Sequence, residues 1–320
     1  MIVNRLRKLY IVFALGICLC GCGRDEKVET PLQPESQIMV VHNETASGVA
    51  TGDQTGSIAE EDEKTETSAE TDQKILIFRD VFGEEYQTVI DPDIPPNPYD
   101  TGKFSHDGDK LRYDDDAYDC VLGIDVSHHQ GNVDWKKVKD DGYDFAFLRI
   151  GYRGYGKEGS LNSDRMFEQN YEKAKAEGLA LGVYFFAQAV NEEEAIEEAE
   201  FVLNILDGRG LELPIVYDPE SILDDEARTD NVTAEQFTKN TRAFCDTVKD
   251  AGYKPMVYSN MLWEAFQLDL SELSDIPVWY ADYEDVPQTP YDFEFWQYSN
   301  EGHVNGVSGA ADLDIWMRRR

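Results

Sequence analysis

With 320 residues the chain has room for one large domain or two ordinary ones, and 41% hydrophobic residues suffice for a core where they are concentrated. Its 64 acidic against 29 basic side chains leave a formal net charge of −35. No basic stripe occurs in the apolar part, which excludes nucleic acid as a partner, because phosphate binding is driven by clustered Lys and Arg.

The chain opens with Arg5, Arg7 and Lys8 ahead of an apolar, uncharged run from Leu9 to Leu19, the charged-then-hydrophobic layout of a secretory signal. The run is too short for a comfortable membrane span. It ends in Leu19-Cys20-Gly21-Cys22, which resembles the lipobox of bacterial lipoproteins. That resemblance makes Cys22 the candidate lipid anchor, residues 1–22 the signal peptide, and the outer face of the cell membrane the expected location; a signal anchor or plain secretion are the alternatives. From 23 to 72 Glu, Asp, Thr, Ser and Gln dominate and aromatic residues are almost absent. Such a stretch cannot bury enough surface to offset its ordering entropy, and it reads as an acidic disordered linker. Beyond the signal segment only Cys120 and Cys245 remain, without metal-ligand spacing, and they read as two buried free thiols.

KILIFRD (Lys74 to Asp80) and YQTVIDP (Tyr86 to Pro92) predict two short strands around a turn at Gly83, a small hairpin extension over 73–118 that leans on the main domain. From 119 to 320 apolar runs alternate with amphipathic helical stretches, the signal of an α/β fold with a largely parallel sheet. VLGIDVS, DFAFLRIGY, LALGVYFFA, LPIVYDPE, KPMVYSN, IPVWYADY, FEFWQYS and ADLDIWM predict strands buried on both faces. Helices are predicted over Val133 to Asp141, Asp164 to Glu177 with Ser163 as N-cap, Asn191 to Leu206, and Thr233 to Asp250. Gly142, Gly178 and Gly252 stop the first, second and fourth. After Ser259 the helices fade. These elements add up to an irregular (β/α) barrel of TIM-barrel type, compact for a full eightfold repeat.

Asp125, Asp218 with Glu220, Asp282 and Asp312 each fall at or near one end of an apolar run. In a βα barrel the active site forms at the C-terminal strand ends, so these carboxylates are expected to converge. Residues i and i+2 of a strand share a face, which sets Asp218 and Glu220 side by side. Such a pair suits glycoside hydrolysis, where one protonated acid serves the leaving oxygen and an ionised group acts on the anomeric side. In a chain this acidic a lone D-x-E is more often a solvated surface pair. Its position after LPIVY, with acids ending other strands, reverses that reading. Pro219 between them points to a strand end.

The ordered segments GIDVSHHQGNVDW, FAFLRIGYRGYG, GVYFFAQA, VYDPE, VWYADY, FWQYS and GAADLDIW resemble the successive strand motifs of glycoside hydrolase family 25, the 1,4-β-N-acetylmuramidases or lysozymes. The resemblance runs from about Val121 to Trp316 and implies an irregular barrel with five regular βα units. It implies that Glu220 is the general acid, and that Asp218 stabilises developing positive charge, orients the substrate N-acetyl group, or serves as the base. It matches Asp125, with Ser127 and Gln130, to a first-strand D-x-S-x-x-Q motif, and Asp282 and Asp312 to the remaining acidic positions of the groove. Pro219, where an aliphatic residue is usual, and Asp314, where Asn is frequent, depart from the pattern without removing a catalytic carboxylate.

Tyr184, Phe186, Trp279, Tyr283, Trp296 and Tyr298 end strands near this groove, where flat rings could stack on sugar faces; Tyr184, Tyr283 and Trp296 are the candidate substrate-binding aromatics among a set of which about half is expected to be core. His128 and His129 diverge and lack accompanying ligands, so no metal is expected. The resemblance implies a monomer that needs no cofactor and takes peptidoglycan glycan strands as its partner. The alternative is a glycan-binding lipoprotein without activity.

Overall fold

The computed structural model describes residues 37–41, 73–223 and 225–320. The expected signal peptide over 1–22, with Cys22, and most of the linker expected over 23–72 lie outside the described residues. One strand, β1 (Gln37–Val41), falls inside that stretch, where QIMVV interrupts the polar run. It pairs antiparallel with β2 (Gln73–Arg79), from Gln37 opposite Ile77 to Val41 opposite Gln73. β2 continues into β3 (Glu85–Val89), the expected hairpin. A second hairpin, β4 (Phe104–Asp107) with β5 (Lys110–Tyr113), has no counterpart in the predicted elements. Its FSHD and KLRY runs are too short and too polar to show alternation.

The predicted barrel strands all form. In chain order they are β6 (Tyr118–Val126), β7 (Phe145–Arg153), β9 (Ala180–Ala187), β10 (Ile215–Pro219), β11 (Pro255–Asn260), β12 (Val278–Ala281), β13 (Phe295–Gly302) and β14 (Ala311–Arg319). A short β8 (Leu161–Ser163) folds back antiparallel on β7. Parallel pairing runs from β6 through β7, β9, β10, β11 and β12 to β13. β14 closes the ring antiparallel to both β13 and β6. The one reversed strand is what makes this barrel irregular.

Helices α1 (Trp135–Asp140), α2 (Phe167–Ala176), α3 (Glu192–Leu206), α4 (Ala234–Asp250) and α5 (Met261–Phe266) each follow one parallel strand, giving five βα units, and β12 and β13 are followed by loops. Asn191 and Thr233 cap α3 and α4 by accepting from Glu194 N and Gln236 N, and the three stop glycines take positive φ. The predicted cap at Ser163 is corrected. α2 starts one turn later, and Asp164 takes the turn before it, accepting from Met166 N at 2.9 Å. α5 is too short for a periodic signal; Asn260 starts it by accepting from Leu262 N and Trp263 N.

Alternation along the strands separates two layers. Phe145, Phe147, Val216, Met256, Tyr258, Trp279 and Phe295 fill the barrel interior. Their neighbours Ile124, Val126, Ala146, Leu148, Ile215 and Tyr217 pack outward with helix residues such as Val138, Phe244 and Val248. The interior is crowded enough to need glycine: a Cβ on Gly123 or Gly182 would lie 2.4 Å from the rings of Phe145 or Phe147. The N-terminal hairpins pack on the outer layer, with Phe78 against Phe266 and Phe104 edge-on to Trp296. Cys245 is buried, Cys120 is only half-buried, and both are free thiols.

Candidate active site

The same alternation aims the acids. Asp125 follows Gly123 on the inward face of β6, and Asp218 follows Val216 on the inward face of β10. Pro219 ends β10, beyond the last residue paired with β11, where its missing N–H costs no bond on that side. Glu220 lies two positions past Asp218 and is half-buried. Asp312 begins its strand instead of ending it. Because β14 is antiparallel, its start lies at the C-terminal end of the parallel strands, and Asp312 is the register partner of Asp125. Four predicted acids, Asp125, Asp218, Glu220 and Asp312, thus meet at one mouth of the barrel.

Beneath them sits a fifth, Asp314, completely buried. Its Oδ1 accepts from the Trp279 indole N–H at 2.9 Å and its Oδ2 has no partner. Burial, then the charges of Asp312 and Asp314, push Asp125 well above the usual carboxylate range. Burial first and the Glu220 charge second do the same for Asp218, against a pull downward from Arg149. Glu220 is raised to about 7 by burial and by Asp312, and burial alone takes Asp312 to about 6. Like charges sharing a dry site cannot all ionise, so the cluster holds protons at neutral pH. One of those protons is available to a leaving group.

Three polar side chains surround the acids. Gln297 donates from Nε2 to Asp125 Oδ2 at 2.7 Å, and its Oε1 accepts from the hydroxyls of Tyr258 at 3.0 Å and Tyr283 at 2.9 Å. Gln188, buried at the end of β9, donates from Nε2 to the Glu220 carbonyl at 2.8 Å and accepts from Thr229 at 3.0 Å. Arg149 points inward from β7 and bonds Asp164 at 2.9 Å, beside the His128 ring.

Comparison with known proteins agrees with this geometry. Residues 124–307 match the profile described as glycosyl hydrolases family 25. The chain belongs to glycosyl hydrolase family 25. It is 31% identical to the autolytic lysozyme of Clostridium acetobutylicum over 61% of this chain and 55% of that protein. It is 29% identical to lysozyme M1 of Streptomyces globisporus over 60% of this chain and 66% of the other. The bacterial lysozyme from Streptomyces coelicolor superposes with a TM-score of 0.50 at 25% identity, covering 61% of this chain and 91% of that one. The chain therefore spans little more than half the length of the first of these relatives.

Within this family 25 domain two expected groove residues are corrected. Trp279 and Ala281 of β12 face inward, so Asp282 turns outward with Tyr280. Its carboxylate accepts from Tyr280 OH at 2.7 Å, Gln288 N at 2.9 Å and Glu284 N at 3.2 Å, which makes it the clamp of the loop after β12. Burial raises it to about 6. Trp296 is likewise outward and fully buried, donating to the Asp282 carbonyl; the residue of β13 that enters the site is its neighbour Gln297. Tyr184 faces inward, edge-on to Trp279, and Tyr283 stands 37% exposed at the mouth. Ser127 and Gln130 lock the turn after β6, with Ser127 N donating to Gln130 Oε1 at 2.9 Å and Ser127 Oγ accepting from His129 N. His128 bonds Asp164, and among the described residues no His, Cys, Asp or Glu group is arranged to hold a metal ion.

Gln297, Gln188, Tyr258 and Arg149 are absent from the predicted site. Gln297 and Tyr258 could have been found by alternation alone, since each follows an inward aromatic or Met by two positions. Gln188 acts through a hydrogen bond to a distant backbone atom, which leaves no trace in sequence.

Proposed function

We propose that this family 25 domain hydrolyses the β-1,4 bond between N-acetylmuramic acid and N-acetylglucosamine in peptidoglycan, with Glu220 as proton donor. The observation that carries the reading is the juxtaposition of Asp218 and Glu220 on the inward side at the mouth of the barrel, with Glu220 held up to about 7. An acid in that range is protonated often enough to donate to the glycosidic oxygen and ionised often enough to recover its proton from water. Asp218 lies deeper and faces the anomeric side, where its charge opposes the positive charge that develops as the bond breaks. Asp125 and Asp312 line the opposite wall, and Tyr184 and Tyr283 offer rings to the sugars. The names of the relatives, an autolytic lysozyme among them, support the same activity.

Peptidoglycan lies outside the cytoplasmic membrane, and the basic start, the apolar run to Leu19 and Cys22 support export followed by lipid anchoring at Cys22. In this reading 23–72 is the tether, 73–118 an extension packed on the barrel, and 119–320 a monomeric catalytic unit. No helix among the described residues is long and apolar enough to cross a membrane.

The test incubates the purified chain with bacterial cell walls and counts new reducing ends, then identifies the fragments by mass spectrometry. Muramic acid at the new reducing ends supports the reading. Binding of walls without release by the wild type would replace it with the inactive glycan binder. For the anchor, a fatty-acid probe should label the wild type and not Cys22→Ala; labelling that survives the substitution would overturn it.

A further inference from the structure

Ordered structure precedes residue 124, where the family 25 match begins. The β2–β3 hairpin is tied to the loop after β12 by a reciprocal pair of bonds: Arg79 N donates to Gln288 Oε1 and Gln288 Nε2 donates to the Arg79 carbonyl, both at 3.0 Å. Gln288 in turn holds Asp282, the residue before Tyr283 at the mouth of the groove. Below this point the chain follows the same loop down the barrel wall, with Asp91 N on Tyr291 OH, Asn97 N on the Pro290 carbonyl and Tyr99 OH on the Phe293 carbonyl, toward the start of β13. The hairpin therefore climbs the barrel, reaches the level of the strand ends at Arg79, and carries its turn past the rim.

That turn is fixed. Asp80 accepts from Phe82 N and Glu84 N at 2.9 Å each and from Tyr86 OH at 3.2 Å, and Gly83 takes φ 79°. Yet it presents Val81 and Phe82 at 67% and 58% exposure. Two large apolar side chains on a rigid tip contribute nothing to the core. The bonds within the turn hold both side chains out at the rim, where a ligand can reach them.

We propose that the Val81–Phe82 tip is an outlying sugar subsite of the catalytic groove, where the Phe82 ring stacks on a sugar of the glycan strand beyond those flanking the scissile bond. The proposal rests on the muramidase reading. A glycan strand extends past the cut in both directions, and the Arg79–Gln288–Asp282 contacts root the tip next to the residue before Tyr283, at the rim of the barrel mouth. A flat uncharged ring suits the apolar face of a pyranose. The subsite belongs to the chain's own extension and would lengthen the strand that the barrel alone can grip.

The experiment measures KM and kcat on long solubilised glycan strands and on a short oligomer that fills only the sites beside the scissile bond. For Phe82→Ser, KM on long strands is expected to rise about fivefold with kcat held, as loss of one stacking contact requires, the loss is expected to be confined to long strands, and Phe82→Trp should restore the wild-type KM. Equal KM values for wild type and Phe82→Ser on long strands would overturn the subsite, as would an equal loss on both substrates. If the wild type cleaves neither substrate, the failure lies with the muramidase reading.

Discussion

Asp125 and Asp312 stand on directly paired positions of β6 and β14, so the first and last strands of the barrel bring two carboxyl groups together on its inward face. Their neighbourhood sets the acidity of Glu220, whose rise to about 7 comes from burial and, second, from Asp312. Replacing Asp312 by Asn removes the second contribution and lowers the pKa of Glu220. The descending limb of kcat/KM against pH, which marks loss of the donor proton, should therefore move to lower pH in Asp312→Asn. A limb that stays in place would separate Asp312 from Glu220.

Glu220→Gln keeps the shape of the side chain and removes its proton. General acid catalysis contributes about 10²- to 10⁴-fold, and turnover should fall by that factor while the thermal melt at pH 5 stays near that of the wild type. Reducing-end release equal to the wild type would remove Glu220 from the mechanism.

Much of this site was legible in the sequence, because apolar strands carry their own direction and period. LPIVYDPE set Asp218 and Glu220 on one face at a strand end marked by Pro219, and the position of the other acids at strand ends marked the mouth. The same rule, applied one residue further, would have separated Asp282 from Tyr283 and Trp296 from Gln297. Proximity to a strand end is not enough; the parity of the position decides which side chain enters the groove. What the period cannot carry is the reversal of β14, which depends on a turn, and the second hairpin at Phe104 to Tyr113, held by packing of Phe104 on Trp296.

The buried acids also govern stability. Asp125, Asp218, Glu220, Asp312 and Asp314 all have folded-state values above those of an unfolded chain. Between about pH 4 and pH 7 the unfolded chain has released protons that the folded one still binds, so stability falls as pH rises. Glu194 and Asp164, held low against burial by hydrogen bonds and by Arg228 or Arg149, act oppositely and weaken the fold in stronger acid. The melting temperature should peak near pH 5 and decline toward pH 8. Asp314→Asn, which retains the acceptor for Trp279 but cannot ionise, should flatten that decline; parallel curves for the two proteins would show that Asp314 does not titrate in this window.

The barrel interior tolerates no added volume at Gly182. A Cβ there would lie 2.4 Å from the Phe147 ring and 2.8 Å from the Pro214 carbonyl. Phe147 is stacked on Trp279 at 4.6 Å and is met edge-on by Phe145 and Phe295, so it is packed on several sides. Gly182→Ala should destabilise the domain by about 1–3 kcal/mol, the usual range for overpacking, measured as a lower urea midpoint at unchanged slope. An unchanged midpoint would mean that the layer relaxes freely.

Gln188 links Glu220, the proposed proton donor, to the outer shell of the barrel. Its backbone N–H donates to Glu198 Oε1 at 3.1 Å, and Glu198 is paired with Arg153 at 2.7 Å. Its side chain holds the Glu220 carbonyl from one end of the amide and Thr229 from the other. Glu220 follows the last residue of β10, so this bond is what continues the strand's direction into the acid. Gln188→Leu preserves volume and breaks both side-chain bonds. Misplacing a proton donor by a fraction of an ångström weakens the transition state more than the bound substrate, and kcat should fall about 10-fold or more with KM little changed. A rise in KM at constant kcat would assign Gln188 to substrate binding instead, and would break the link between the buried Arg153–Glu198 pair and the geometry of Glu220.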